Sequence, residues 1–176
     1  GEGQQIDLGG IAKGYASARV MEIFRAHGIR CGMVSLGGNV QVIGSRQDGT
    51  LWQVGIQDPK GEPGEVLAVL GVRDRAVITS GGYERYFEED GKTYIHILDP
   101  RTGYPADKDL ASVTVVSGDG TLADALSTSL YIMGYEAAVN YWSTRREEFD
   151  MVLVTEEGEI WVTEGISQDL SVWEEY

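Results

Sequence analysis

Three helix-spaced stretches interrupt a succession of Val- and Ile-rich runs joined by turn signals, and this alternation points to an α+β fold of antiparallel sheets with packed helices. In IAKGYASARVMEIFRAH (11–27), apolar residues fall at 11, 12, 15, 16, 20, 23 and 24, with Gly28 following as a C-cap. MVSLGGNVQVIGS (33–45) and LWQVGIQDP (51–59) read as two strands of one hairpin, turned at RQDGT. GEPGEVLAVLGVRDRAVITSGG carries two further strands, and YERYFEEDGKTYIHILDP a hairpin with Asp90-Gly91 at its turn. LASVTVVSG (110–118) is a strand, and GDGTLADALSTSLYIMG (118–134) and YEAAVNYWSTRREEF (135–149) are helical. MVLVTEEGEIWVTEG closes as a hairpin around Glu157-Gly158. With 42% hydrophobic residues the chain can bury a real core, and residues 1–176 are expected to form a single domain.

A net charge of -14 argues against binding a nucleic-acid backbone, which requires clustered Lys and Arg. It leaves open a nucleotide held through a metal and backbone amides. Cys31 is the one cysteine, so neither an intramolecular disulfide nor a cysteine-held zinc is available. Its apolar neighbours Met33, Val34 and Leu36 suggest a buried structural thiol. Apolar runs such as VLAVLGV (66–72) are far too short to span a bilayer, and no signal peptide is visible.

Four places could carry chemistry. In DLGGIAKGYA (7–16), Asp7 is placed to cap the helix, the glycines admit a close ligand, and Lys13 lies on the first turns. An ordinary capped helix and an anion site both fit. SLGGN (35–39) puts two glycines inside an apolar strand, as a bulge or a ligand approach would require. ITSGGYERYF and HILDPRTGYP offer aromatic and hydrogen-bonding groups. Alternation sets His96 opposite Ile95 and Ile97, in either a structural or a catalytic role. Last, Asp124 and Thr128 lie one turn apart on one helix face. A carboxylate and a hydroxyl there could meet one Mg²⁺, or Asp124 could be a helix-end or solvent-facing side chain.

Taken together and in order, DLGGIAKGYA, SLGGNV with W-x-VGIQDP, TSGGYERYF, HILDPRTGYP and ADALSTSLYIMG resemble the ApbE family of FAD:protein FMN transferases, from Asp7 to about Gly165. The resemblance implies a T-fold-like α+β architecture and Mg²⁺-dependent transfer of FMN from FAD to a Thr or Ser hydroxyl of an acceptor protein, releasing AMP. It implies metal ligands at Asp124, Thr128 and the backbone of Gly10, and a catalytic Lys13 near the nucleotide. His96 would stand beside the FMN portion as general base, with flavin contacts at Ser80, Gly81, Gly82, Tyr83 and Ile97. An FAD pyrophosphatase and a catalytically silent flavin-binding domain are the alternatives. The match corresponds to the C-terminal part of the family's chain, since six residues precede Asp7. FAD affinity and activity are therefore expected to be weak without an N-terminal portion. A cell-envelope location, with any lipid anchor lost upstream, and a homodimer formed through an unpaired sheet edge complete the expectations.

Overall fold

The computed structural model describes residues 1, 3–107 and 109–172. Helix α1 (Ala12–Ala26) is followed by β1 (Gly32–Leu36), β2 (Asn39–Ile43), β3 (Trp52–Gln57), β4 (Val66–Val72) and β5 (Ala76–Gly81). A 3-10 turn (Gly82–Glu84) leads into β6 (Tyr86–Glu89), β7 (Lys92–Ile95) and β8 (Leu110–Ser117). Then come α2 (Gly120–Met133), α3 (Tyr135–Ser143), β9 (Asp150–Thr155), β10 (Ile160–Val162) and β11 (Leu170–Val172). Six strands form one antiparallel sheet in the order β1-β2-β5-β8-β9-β10. A second sheet has the order β11-β4-β3, and β6-β7 is a separate hairpin.

The large sheet is the middle layer of three. One face packs on helices: Ala76 and Ile78 of β5, Val113 and Val115 of β8, and Met151 and Leu153 of β9 meet Ala123, Leu126, Leu130 and Trp142. The alternate residues Val77, Val116 and Val152 face the small sheet and its Val54, Ile56, Ala68 and Leu70. Both faces are covered, which is why all eight residues of β8 are buried, Ser112, Thr114 and Ser117 along with the apolar ones. Each buried Val or Leu contributes about 1.5–3 kcal/mol through apolar area removed from water.

The α+β expectation and most turns hold. Gly28, at φ 74°, ends α1 with the amide of Ile29 donating to Phe24 O. Asp90 and Gly91 both take positive φ between β6 and β7. Other local expectations are corrected by the structure. The 33–45 stretch is itself a hairpin, with Leu36 opposite Asn39 and Gly37-Gly38 at φ 57° and 84° as its two-residue turn. Neither an in-strand bulge nor a ligand approach is needed to account for the glycine pair, because a turn of this hand requires positive φ at both positions. Consequently β3 leaves β2 and pairs with β4 in the other sheet. Asp7 does not cap α1; its Oδ1 accepts from Gly9 N at 2.6 Å in a local turn, and Ile11 holds the cap position without a side-chain bond. Cys31 is half-buried rather than buried.

The stretch at 135–149 is helical only to Ser143, after which Arg145 N turns back to Trp142 O. In α1 the buried face is Gly14, Ser17 and Met21, while Tyr15 and Ile23 from the apolar pattern stay exposed. Small residues face inward there because α2 lies directly against them: a side-chain carbon on Gly14 would fall 2.2 Å from Gly120 O. Among the described residues, no helix is long and apolar enough to cross a membrane.

Candidate active site

Helix α2 begins at Asp119, whose Oδ1 accepts from Thr121 N at 2.8 Å and Leu122 N at 3.2 Å. Its residues 124, 128 and 131 share one face by helical spacing. Asp124, at the α1 end, is 4% exposed, so it is neither a helix-end nor a solvent-facing side chain. Its Oδ2 accepts from Gly14 N at 2.7 Å. Gly14 is the third residue of α1, and α1 has no acidic residue in its first turn. Asp124 therefore caps a helix 110 residues away in sequence, answering both the orphan amide and the positive end of its dipole. A carboxylate has two oxygens, so this bond leaves capacity for a cation.

One turn on, the Thr128 hydroxyl lies 3.1 Å from Ser80 Oγ, at the end of β5. Ser80 Oγ is also 2.9 Å from Ser127 Oγ, which donates to Asp124 O at 3.0 Å. The backbone of Gly10 closes the group, for a side-chain carbon built on it would sit 3.8 Å from Thr128 Oγ1. Gly10, in a loop, thus lies against Thr128, which stands one turn along α2 from Asp124. Between them these residues carry a carboxylate, a hydroxyl and a backbone carbonyl, donors of the type a hard cation such as Mg²⁺ accepts. Among the described residues no three His, Cys, Asp or Glu side chains gather, so this set has a single charged ligand.

Lys13, the second residue of α1, reaches Gly37 O at 3.4 Å in the β1–β2 turn. Gly81 and Gly82 are demanded by packing. A carbon on Gly81 would fall 2.4 Å from the Tyr83 ring, and one on Gly82 would fall 2.9 Å from both Ile95 Cγ2 and Tyr131 Oη. Burial, reinforced by Glu84 and Asp58, pushes the Tyr83 hydroxyl up to about 12. Ile97 is buried in the helix-side core, and its carbonyl accepts from Ala106 N at 2.8 Å. His96 is exposed, just past β7; its Nδ1 is 3.1 Å from Arg85 O. A carbonyl only accepts, so Nδ1 carries the proton and the neutral ring keeps its lone pair on Nε2.

Sequence reading missed the cavity beyond Gly82. It measures about 780 Å³ and is bounded by Tyr94 and Ile95 of β7, Tyr104 and Pro105, Tyr131 of α2, and Glu156. Its clearest sequence signal is the helical step from Thr128 to Tyr131, which continues the Asp124 face. Burial, then Glu156, pushes the Tyr131 hydroxyl up to about 12; a hydrogen bond from the Gly82 amide opposes this and Asp107 adds to it. With Tyr83 and Tyr131 holding their protons in the folded state, stability is expected to be complete below the ordinary tyrosine value of 10.0. It should fall as pH rises through about 12. Urea melts at about pH 9 and about pH 11 check this, and Tyr131→Phe should shrink the loss.

A three-layer α+β chain with a buried carboxylate where two helices meet, beside an aromatic-walled cavity, is the class this architecture defines. The chain belongs to the ApbE family, whose model matches residues 1–153. It is 42% identical over 142 residues to the FAD:protein FMN transferase of Treponema pallidum (strain Nichols), covering 76% of this chain and 39% of that protein. With the FAD:protein FMN transferase of Klebsiella pneumoniae (strain 342) the identity is 40%, over 90% of this chain and 48% of the relative. The crystal structure of the ApbE protein from Thermotoga maritima superposes with a TM-score of 0.81 at 40% identity, over 93% of this chain and 53% of that one. The flavin transferase ApbE from Vibrio cholerae gives 0.80 at 29% identity, over 93% and 52%. The chain spans less than half the length of these two curated relatives.

Proposed function

We propose that this chain carries the metal-binding and acceptor-activating half of an Mg²⁺-dependent FAD:protein FMN transferase. The observation that carries the reading is the convergence of Gly10, Asp124 and Thr128 in a chain whose relatives bear that name. Asp124, Thr128 and the Gly10 carbonyl would hold Mg²⁺, which when bound supplies positive charge to the non-bridging oxygens of the FAD diphosphate. Lys13, whose Nζ lies 3.4 Å from Gly37 O in the structure, would turn to the nucleotide as a second cation. His96 Nε2 takes the proton of the acceptor Thr or Ser hydroxyl. The hydroxyl oxygen forms a bond to the FMN phosphorus, the P–O–P bridge breaks, and AMP leaves. The cavity beyond Gly82 lies in the size range of small-molecule clefts, and its tyrosine walls suit a flat aromatic ring. A cell-envelope location belongs to this reading.

The test is incubation with FAD, Mg²⁺ and a flavin-acceptor protein. A fluorescent acceptor band on a denaturing gel supports transfer, and free FMN with AMP alone points to the pyrophosphatase instead. If neither forms, even with the N-terminal half of a relative added, the reading fails. His96→Gln is expected to lower transfer about 10²–10⁴-fold without changing the melting temperature, since the ring is exposed. Equal rates would remove His96 as the base.

A further inference from the structure

A metal-binding hydroxyl must offer a lone pair, so its own proton has to be held somewhere else. The hydroxyl cluster under α2 has only one arrangement that satisfies all its contacts. Ser127 Oγ lies 3.0 Å from Asp124 O, and because a carbonyl only accepts, Ser127 spends its single proton there. The 2.9 Å contact between Ser80 and Ser127 can then form only if Ser80 donates. That commits the Ser80 proton, so at 3.1 Å Thr128 must donate to Ser80. The direction of the chain is fixed: Thr128 to Ser80, Ser80 to Ser127, Ser127 to the Asp124 carbonyl.

We propose that Ser80 is a positioning residue that draws the Thr128 proton away, so that Thr128 presents lone pairs rather than a proton to the cation site beside Gly10. Ser80 sits on β5 of the central sheet and Ser127 is fully buried, so the acceptor is mounted on the rigid core. The relay ends on the carbonyl of Asp124 itself, which ties the backbone of one proposed ligand to the hydroxyl orientation of the other. Ser80 thereby acts through Thr128, whatever contact it also makes with flavin. This inference rests on the metal reading proposed above, and the experiment separates the two.

The probe is MgCl₂ alone, added to the full chain and followed by titration calorimetry and by the rise in melting temperature. Ser80→Ala is expected to weaken Mg²⁺ binding about 10–100-fold, the usual cost of losing a partner that orients a metal ligand. Ser127→Ala, which touches no proposed ligand side chain except through Ser80, should weaken it in the same direction, because Ser80 then regains a proton to turn on Thr128. Alanine favours a helix, so this variant should melt like the parent chain in EDTA. Ser80→Thr keeps a hydroxyl and should restore binding. Mg²⁺ binding that is present in the parent, lost in Asp124→Asn and unchanged in both Ser80→Ala and Ser127→Ala overturns the relay alone. No Mg²⁺ effect on the parent chain overturns the metal reading and the relay with it.

Discussion

Asp124→Ala is expected to lower FAD turnover in Mg²⁺ about 10²–10³-fold, and to lower folding stability by about 1–3 kcal/mol in the same chain. Two different roles of one carboxylate produce the two losses. Stability falls because Gly14 N, buried at the start of α1, loses its 2.7 Å acceptor and no residue of α1 replaces it. Turnover falls because the proposed site loses its only charged ligand. Asp124→Asn should separate the effects. Its side-chain carbonyl can still accept from Gly14 N, and asparagine caps helices about as well as aspartate, so stability should largely return. The charge does not return, and neither should Mg²⁺-dependent turnover. Chemical denaturation measures the first quantity and AMP release from FAD the second. Asp124→Asn with parent-like turnover would leave Asp124 a structural cap and nothing more.

Asp124 also shows what could be read from the sequence. Its relation to Thr128 was legible because one helix face is a local matter of spacing, and α2 keeps that face. Its bond to Gly14 was not, because the partner is an amide on another helix and no pattern in either segment encodes their meeting. Tyr135 shows the same limit: its amide donates to Asp109 Oδ1 at 3.0 Å, a cap supplied from before β8. Strand identity was legible and strand partnership was not. The runs at 33–45 and 51–59 are both extended, but Gly37-Gly38 closes the first upon itself and sends β3 to β4. Two glycines inside an apolar run admit a bulge, a ligand approach or a turn. Here the positive φ at both positions decides among them. The apolar spacing of α1 misled for a related reason: it marks Tyr15 and Ile23, whereas the helix docks through Gly14 and Ser17. A small residue can mark a buried face when the partner is a backbone.

That docking yields the second large effect, and its sign runs against local preference. Gly14→Ala puts the best helix former in place of a poor one, worth about 1 kcal/mol in an isolated helix. In the folded chain the new Cβ would fall 2.2 Å from Gly120 O and 2.5 Å from Asp124 Cβ. The nearest obstacle is the backbone of α2, which cannot swing aside as a side chain would, so α1 and α2 must separate. Overpacking of this kind costs about 1–3 kcal/mol or more, and separation also stretches the Gly14–Asp124 bond, adding about 1–3 kcal/mol. The net expectation is a loss of about 3 kcal/mol, or about 6–12 °C in melting temperature for a chain of this size. The same shift moves Asp124 and Thr128, both on α2, away from Gly10. Mg²⁺ binding by Gly14→Ala should therefore weaken even under conditions where circular dichroism reports the chain fully folded. A variant that melts with the parent and binds Mg²⁺ equally well would mean that the two helices do not meet through Gly14. Asp124 would then be held in place by something other than the end of α1.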